Sequence, residues 1–144
     1  MTEKIFDEVR RLWVAATPEE EVRQRVLKKL IYQLGFPRQL IIVEKKLREL
    51  PYLSSSSIPH RRIDILCYAK KRGSHQPLLL IECKAELQPG ALEQLIGYNS
   101  YVQAAFLALV DQEKERFGYF DPPTARYVFH EGLPSFTQCV SWIK

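Results

Sequence analysis

The chain has 144 residues, 46% of them hydrophobic and 26% charged, enough for one domain with a real core and the wrong balance for a disordered segment. Its longest apolar runs, Leu78 to Ile81 and Ala104 to Val110, fall far short of the roughly 20 residues a membrane span needs. The net charge of +4 suits a polyanionic partner without requiring one.

Residues 3 to 16 place Ile5, Phe6, Val9, Leu12 and Trp13 at helical spacing, which predicts a short amphipathic N-terminal helix. Acids stand where a secretory leader would carry basic residues, so a cytoplasmic protein is expected. Thr17-Pro18 followed by three glutamates is a helix start, with a hydroxyl cap, proline at the first position and negative charge at the positive end of the dipole. Val22, Val26, Leu27, Leu30, Ile31 and Leu34 form its apolar face, and Gly35 with Pro37 ends it. Glu19 and Arg23 fall on that inward face, while Glu21 points away.

A strand is predicted from Leu40, emerging toward solvent at Lys45, Lys46 and Arg48, and "PYLSSSSIP" reads as a loop. "RRIDILCYAK" and "PLLLIECKA" are two strands joined as a hairpin centred on Gly73, a helix follows over about 89–103, and "AAFLALVD" is a further buried strand. The tail gives one or two short strands broken at Asp121-Pro-Pro, then a proline-marked loop. Mixed elements in this order predict one domain over residues 1–144 of the α/β or α+β class, a central mixed sheet flanked by helices, with 1–16 as a helical extension. Cys67, Cys83 and Cys139 are too scattered for a disulfide framework or a zinc site, and His60, His75 and His130 have no metal spacing.

The chemistry concentrates in the hairpin. Alternation along a strand puts Leu78, Leu80, Glu82 and Lys84 on one face, with Ile81 and Cys83 on the other, and an antiparallel pairing about Gly73 sets Asp64 opposite Glu82. Two carboxylates ~4 Å apart repel by roughly 4 kcal/mol at an effective dielectric near 20, so a positive charge must join them. Lys84 supplies one, and a divalent cation with carboxylate and water ligands would supply more; a lysine–carboxylate network at a strand end is the other reading. On the following helix Gln94 and Tyr98 lie one turn apart.

Glu19, Asp64, Glu82-Cys83-Lys84 and Gln94-Leu-Ile-Gly-Tyr98 together resemble the PD-(D/E)XK nuclease superfamily. More narrowly, "PEEEVRQ", "RRIDILCY", "LLLIECKA" and "EQLIGYNSY" resemble the N-terminal nuclease domain of type I restriction enzyme R subunits, over Pro18 to Val110 and, more loosely, "GLPSF". The resemblance implies a restriction-endonuclease-like fold and Mg²⁺-dependent hydrolysis of DNA phosphodiesters, with Mn²⁺ as a substitute. Asp64 and Glu82, joined by Glu19, would hold the metal, Lys84 would be the catalytic lysine, and Gln94 with Tyr98 a QxxxY pair. Arg23, Arg61, Arg62, Lys45 and Lys46 are expected to form a DNA-facing rim with weak sequence preference.

Three departures stand beside the resemblance. Ile63 replaces the proline of the motif's name, "DQEKERFG" replaces a turn that in this family often opens with Thr-Asn-Gly, and no GxxxxGK[ST] loop marks a motor. The expected partners are DNA with a second copy or a separate motor or specificity subunit, and no membrane. The alternatives are a non-catalytic DNA-binding or subunit-interaction module of the same fold, and a structural domain with a buried ion network.

Overall fold

The computed structural model of the chain describes residues 3–50 and 61–143. Six strands form one sheet in the order of the chain: β3 (Ile41–Lys46), β4 (Arg62–Lys71), β5 (Ser74–Cys83), β6 (Phe106–Val110), β7 (Glu115–Asp121) and β8 (Arg126–Glu131). All neighbours are antiparallel except β5 and β6, which run parallel because α2 (Ala91–Val102) carries the chain back between them. Helix α1 (Pro18–Tyr32) and the short α3 (Phe136–Trp142) cover one face, packing Val22, Val26, Leu27, Leu30 and Cys139 against Ile65, Cys67, Leu79 and Ile81. On the other face α2 packs Leu95 and Val102 against Leu66, Leu80, Leu107 and Leu109. The expected mixed sheet with flanking helices is the architecture found.

Helix α1 forms as its sequence dictates. The Thr17 hydroxyl accepts the Glu20 N–H, Pro18 opens the first turn, and Gly35 beyond the end takes a φ of 75°. Three expectations need correction. Residues 3–16 are not a helix: β1 (Lys4–Phe6) and β2 (Trp13–Ala15) pair as a separate antiparallel hairpin. Asp7 anchors the reversal: its carboxylate accepts the N–H groups of Val9 and Arg10, its carbonyl accepts the Arg11 N–H, and its own N–H donates to the Leu12 carbonyl, so the chain turns back after a single turn with Arg11 at φ 57°. The tail, expected to finish in a proline-marked loop and a short end with Trp142, closes with α3, started by a reciprocal Ser135–Gln138 capping box.

The third correction concerns the β4–β5 hairpin. Its turn is centred between Arg72 and Gly73, both at positive φ, as a two-residue type I′ turn requires. Beside it Lys71 pairs with Ser74, one residue off the expected register. A bulge then adds Leu78 to β5, so that Leu66 faces Leu80 and Ile65 faces Ile81, which is the register expected deeper in the sheet. The bulge turns Leu78 onto the face of Leu79 and Ile81, away from Leu80 and Glu82. The "PYLSSSSIP" loop and His60 lie outside the described residues.

Candidate active site

At the end of the sheet where β4 begins and β5 ends, Asp64 and Glu82 are both buried, each 7% exposed. Their strands pair in register immediately inside them, at Ile65 and Ile81. Asp64 Oδ2 accepts the Cys83 N–H at 2.7 Å, and its Oδ1 accepts from Arg23 Nη2 at 2.7 Å. Glu82 Oε1 lies 3.3 Å from Lys84 Nζ, which is also 3.7 Å from Glu19 Oε1. Glu19, Asp64, Glu82 and Lys84 are thus brought to one end of the sheet by α1, β4 and β5.

Burial and the neighbouring Asp64 charge push the Glu82 carboxyl up to about 8, against a usual 4.5, although Lys84 pulls it back. Partial burial lowers Lys84, but the charges of Glu82 and Glu19 outweigh it and hold the ammonium above its usual value. The lysine is therefore a cation at neutral pH.

Behind the pair lies a second set of charges. Arg23 is only 4% exposed and also reaches Glu20 Oε1 at 2.7 Å and Glu44 Oε1 at 2.9 Å. Burial works against its charge, but Asp64, Glu20 and Glu44 raise the guanidinium far above its usual value. Arg10, from the N-terminal hairpin, adds contacts to Asp7, Glu20 and Glu44. Arg23 was expected on the DNA-facing rim; it is instead buried behind Asp64, because the centre of the α1 face points into the protein. The helical wheel also favours Glu19 as the inward acid, whereas its side chain is 40% exposed and Glu20 is the buried one.

The remaining candidates divide. Arg61, Arg62 and Lys46 are exposed beside the site and Lys45 is half-buried, with Arg62 3.6 Å from Glu44. Gln94 is exposed on α2, while Tyr98 packs against the apolar cluster under that helix. Among the described residues no hydrogen bond or ion pair joins the Gln94 or Tyr98 side chain to the four charged residues. Glu20, Glu44, Gln24 and Asp7 are not among the residues that the sequence pattern singles out. Glu20 lies one turn before both Arg23 and Gln24 and is legible in principle, but Glu44 requires the pairing of β3 with β4.

Among the described residues no three acidic, histidine or cysteine side chains converge as a complete metal-ligand set. Two buried carboxylates at neighbouring strand ends do fit a divalent cation of the Mg²⁺ kind, which keeps most of its waters and takes one or two carboxylates from protein. Each Asp64 oxygen keeps a second lone pair beyond its bond to Arg23 or Cys83. Away from these charges, at the opposite end of the sheet, a cavity of about 720 Å³ is lined by Phe106, Phe117, Tyr119 and Trp142.

A family model described as the type I restriction enzyme R protein N terminus (HSDR_N) matches residues 18–134. No curated protein matches the chain. A solved fragment described as a putative HsdR subunit of a type I restriction enzyme from Vibrio vulnificus YJ016 is similar in fold, with a TM-score of 0.54 and 15% identity over 89% of this chain. The chain spans 25% of that protein. No helix among the described residues is long and apolar enough to cross a membrane.

Proposed function

Since the chain belongs to the type I restriction enzyme R protein N-terminus family, we propose that it is a nuclease domain of the PD-(D/E)XK kind, with a restriction-endonuclease-like fold, that hydrolyses DNA phosphodiester bonds with Mg²⁺. The observation that carries this reading is the buried pair Asp64 and Glu82 on adjacent strands, with the Lys84 ammonium 3.3 Å from Glu82. A phosphodiester is already anionic, so its hydrolysis demands concentrated positive charge and an activated water. Bound Mg²⁺ would polarise a phosphate oxygen and make its water more acidic.

Asp64 and Glu82 would hold the metal on rigid strand ends, with Glu19 close enough to contribute through water. Lys84, kept protonated by Glu82 and Glu19, would donate hydrogen bonds to the scissile phosphate or to the attacking water rather than remove its proton. Arg61, Arg62, Lys45 and Lys46 would contact backbone phosphates, giving salt-sensitive binding with little sequence preference. Gln94 and Tyr98 would reach this site only through bound substrate or water. A second copy would allow both strands of a duplex to be cut, and motor and specificity functions would come from partner subunits.

The test is cleavage of duplex and single-stranded DNA by wild type and Asp64→Ala with Mg²⁺, Mn²⁺ or EDTA. Metal-dependent cutting that disappears in the variant supports the proposal; nicking by both proteins alike points to a contaminant and overturns it. A second reading has its own observation: both Asp64 oxygens are already engaged by Arg23 and the Cys83 N–H. A non-catalytic DNA-binding or subunit-interaction module would show DNA binding that neither metal nor Asp64→Ala alters.

A further inference from the structure

We infer that Arg23 is a positioning residue for Asp64, fixing the carboxylate in the one orientation from which it can meet Glu82 across a shared cation. The inference rests on the nuclease reading. Its basis is how the guanidinium is divided. An arginine serving only as a counter-charge pairs most strongly as a two-pronged fork on a single carboxylate. Here Nη2 is split between Asp64 at 2.7 Å and Glu44 at 2.9 Å, Nη1 goes to Glu20 at 2.7 Å, and Nε is buried with no partner among the described residues. The group is pinned from its own helix one turn back and from β3.

Glu44 reaches it through backbone in the left-handed region, with φ 52° in the middle of a strand. A residue without glycine's freedom takes that conformation at a cost, so the contact it secures is held by its surroundings. By register Glu44 stands opposite Asp64, its neighbours Val43 and Lys45 pairing with Ile65 and Ile63. Oδ1 is held by this anchored guanidinium and Oδ2 by the Cys83 N–H, so both ends of the Asp64 carboxylate are tied. Its remaining lone pairs are left for Glu82 and for whatever binds between them.

The experiment compares wild type, Arg23→Gln, Arg23→Lys and the triple variant Arg23→Gln/Glu20→Gln/Glu44→Gln. Thermal unfolding, Mn²⁺ binding by the EPR signal of free ion, and kcat and KM for DNA cleavage are read on each. On charge alone, losing Arg23 would tighten a cation. Positioning predicts the reverse: Arg23→Gln weakens Mn²⁺ and lowers kcat by about ten- to a hundredfold, the range for partners that orient a metal ligand, with KM for DNA unchanged. Arg23→Lys keeps the charge without the fork and falls between.

The triple variant separates this from a structural role. It removes the acids that Arg23 neutralises, so the melting temperature recovers while the losses in Mn²⁺ affinity and kcat persist. Recovery of all three together would make Arg23 a fold-holding counter-charge and overturn the inference, as would wild-type or tighter Mn²⁺ binding in Arg23→Gln. Wild type that binds no Mn²⁺ would overturn the nuclease reading itself, and the inference with it.

Discussion

Asp7 and Asp111 are buried about as deeply as Glu82, yet their environments drive them in opposite directions. Burial pushes all three carboxyls up. For Asp7 this is outweighed by hydrogen bonds from the Arg10 backbone and side chain, Gln24 and the Val9 N–H, which hold it below its usual value. Asp111 is likewise lowered by the N–H groups of Glu113, Lys114 and Leu87. Among the described residues Glu82 has Lys84 to offset burial and a second acid beside it, and no backbone N–H is bonded to its carboxylate. Carboxylates that close turns are saturated with donors; the pair at the end of β4 and β5 is left short of positive charge.

The sharpest way to break this contrast is to remove its members in turn. Asp64→Ala and Glu82→Ala should abolish metal-dependent cleavage. Lys84→Met should lower kcat by ~10²–10³-fold, the usual cost of losing one transition-state donor. Measured by single-turnover cleavage, an active Glu82→Ala would put the metal elsewhere.

Asp7→Ala should instead act on folding, costing about 2–4 kcal/mol in urea denaturation because Arg10, Gln24 and two backbone N–H groups lose their acceptor. Asp111→Ala, which strands three backbone donors at a turn, should cost about 1–2 kcal/mol. In both, the folded protein should bind Mn²⁺ as wild type does. A loss of Mn²⁺ affinity in folded Asp111→Ala would show that the two classes of acid are not separate.

The pH dependence should carry both signatures, each spread over several pH units. Between the usual 4.5 and the folded value near 8, folded Glu82 holds protons that the unfolded chain has released. Metal-free stability from this group is complete below 4.5 and is lost as pH rises through 8. Asp7, held low, contributes stability above its unfolded value that is lost as pH falls toward the folded one. Denaturation across pH should therefore show stability declining on both sides, Glu82→Gln should flatten the alkaline limb only, and Mg²⁺ should remove that limb in wild type. The smallest effect belongs to the rim: Arg61→Ala and Arg62→Ala should weaken DNA binding and each reduce its salt dependence by about one counterion, seen by fluorescence anisotropy.

Much of this site is legible in the residues alone. Asp64 opposite Glu82 follows from strand alternation, although the turn lies between Arg72 and Gly73 and the Leu78 bulge restores the register deeper in the sheet. A hairpin's interior pairing tolerates an error at the turn when a bulge compensates it. The first sixteen residues mislead because five apolar residues in so short a stretch satisfy helical spacing while Asp7 closes a turn between them. Gly118 shows a constraint of another kind: a side chain there would strike the Val128 carbonyl at 2.5 Å, a close approach no local pattern announces.

What the sequence by itself determined is what depends on neighbours along the chain: helix α1 with its Thr17 cap, the alternation that gathers Glu82 and Lys84 at one strand end, and the absence of a motor loop from these residues. What only the tertiary structure decided is what depends on charges meeting from distant segments. Arg23 on α1, Glu44 on β3 and Asp64 on β4 become one charge cluster only when the helix packs on the sheet. The raised values of Arg23 and Glu82 follow from that packing, since removal from water and the distances between charges are properties of the fold.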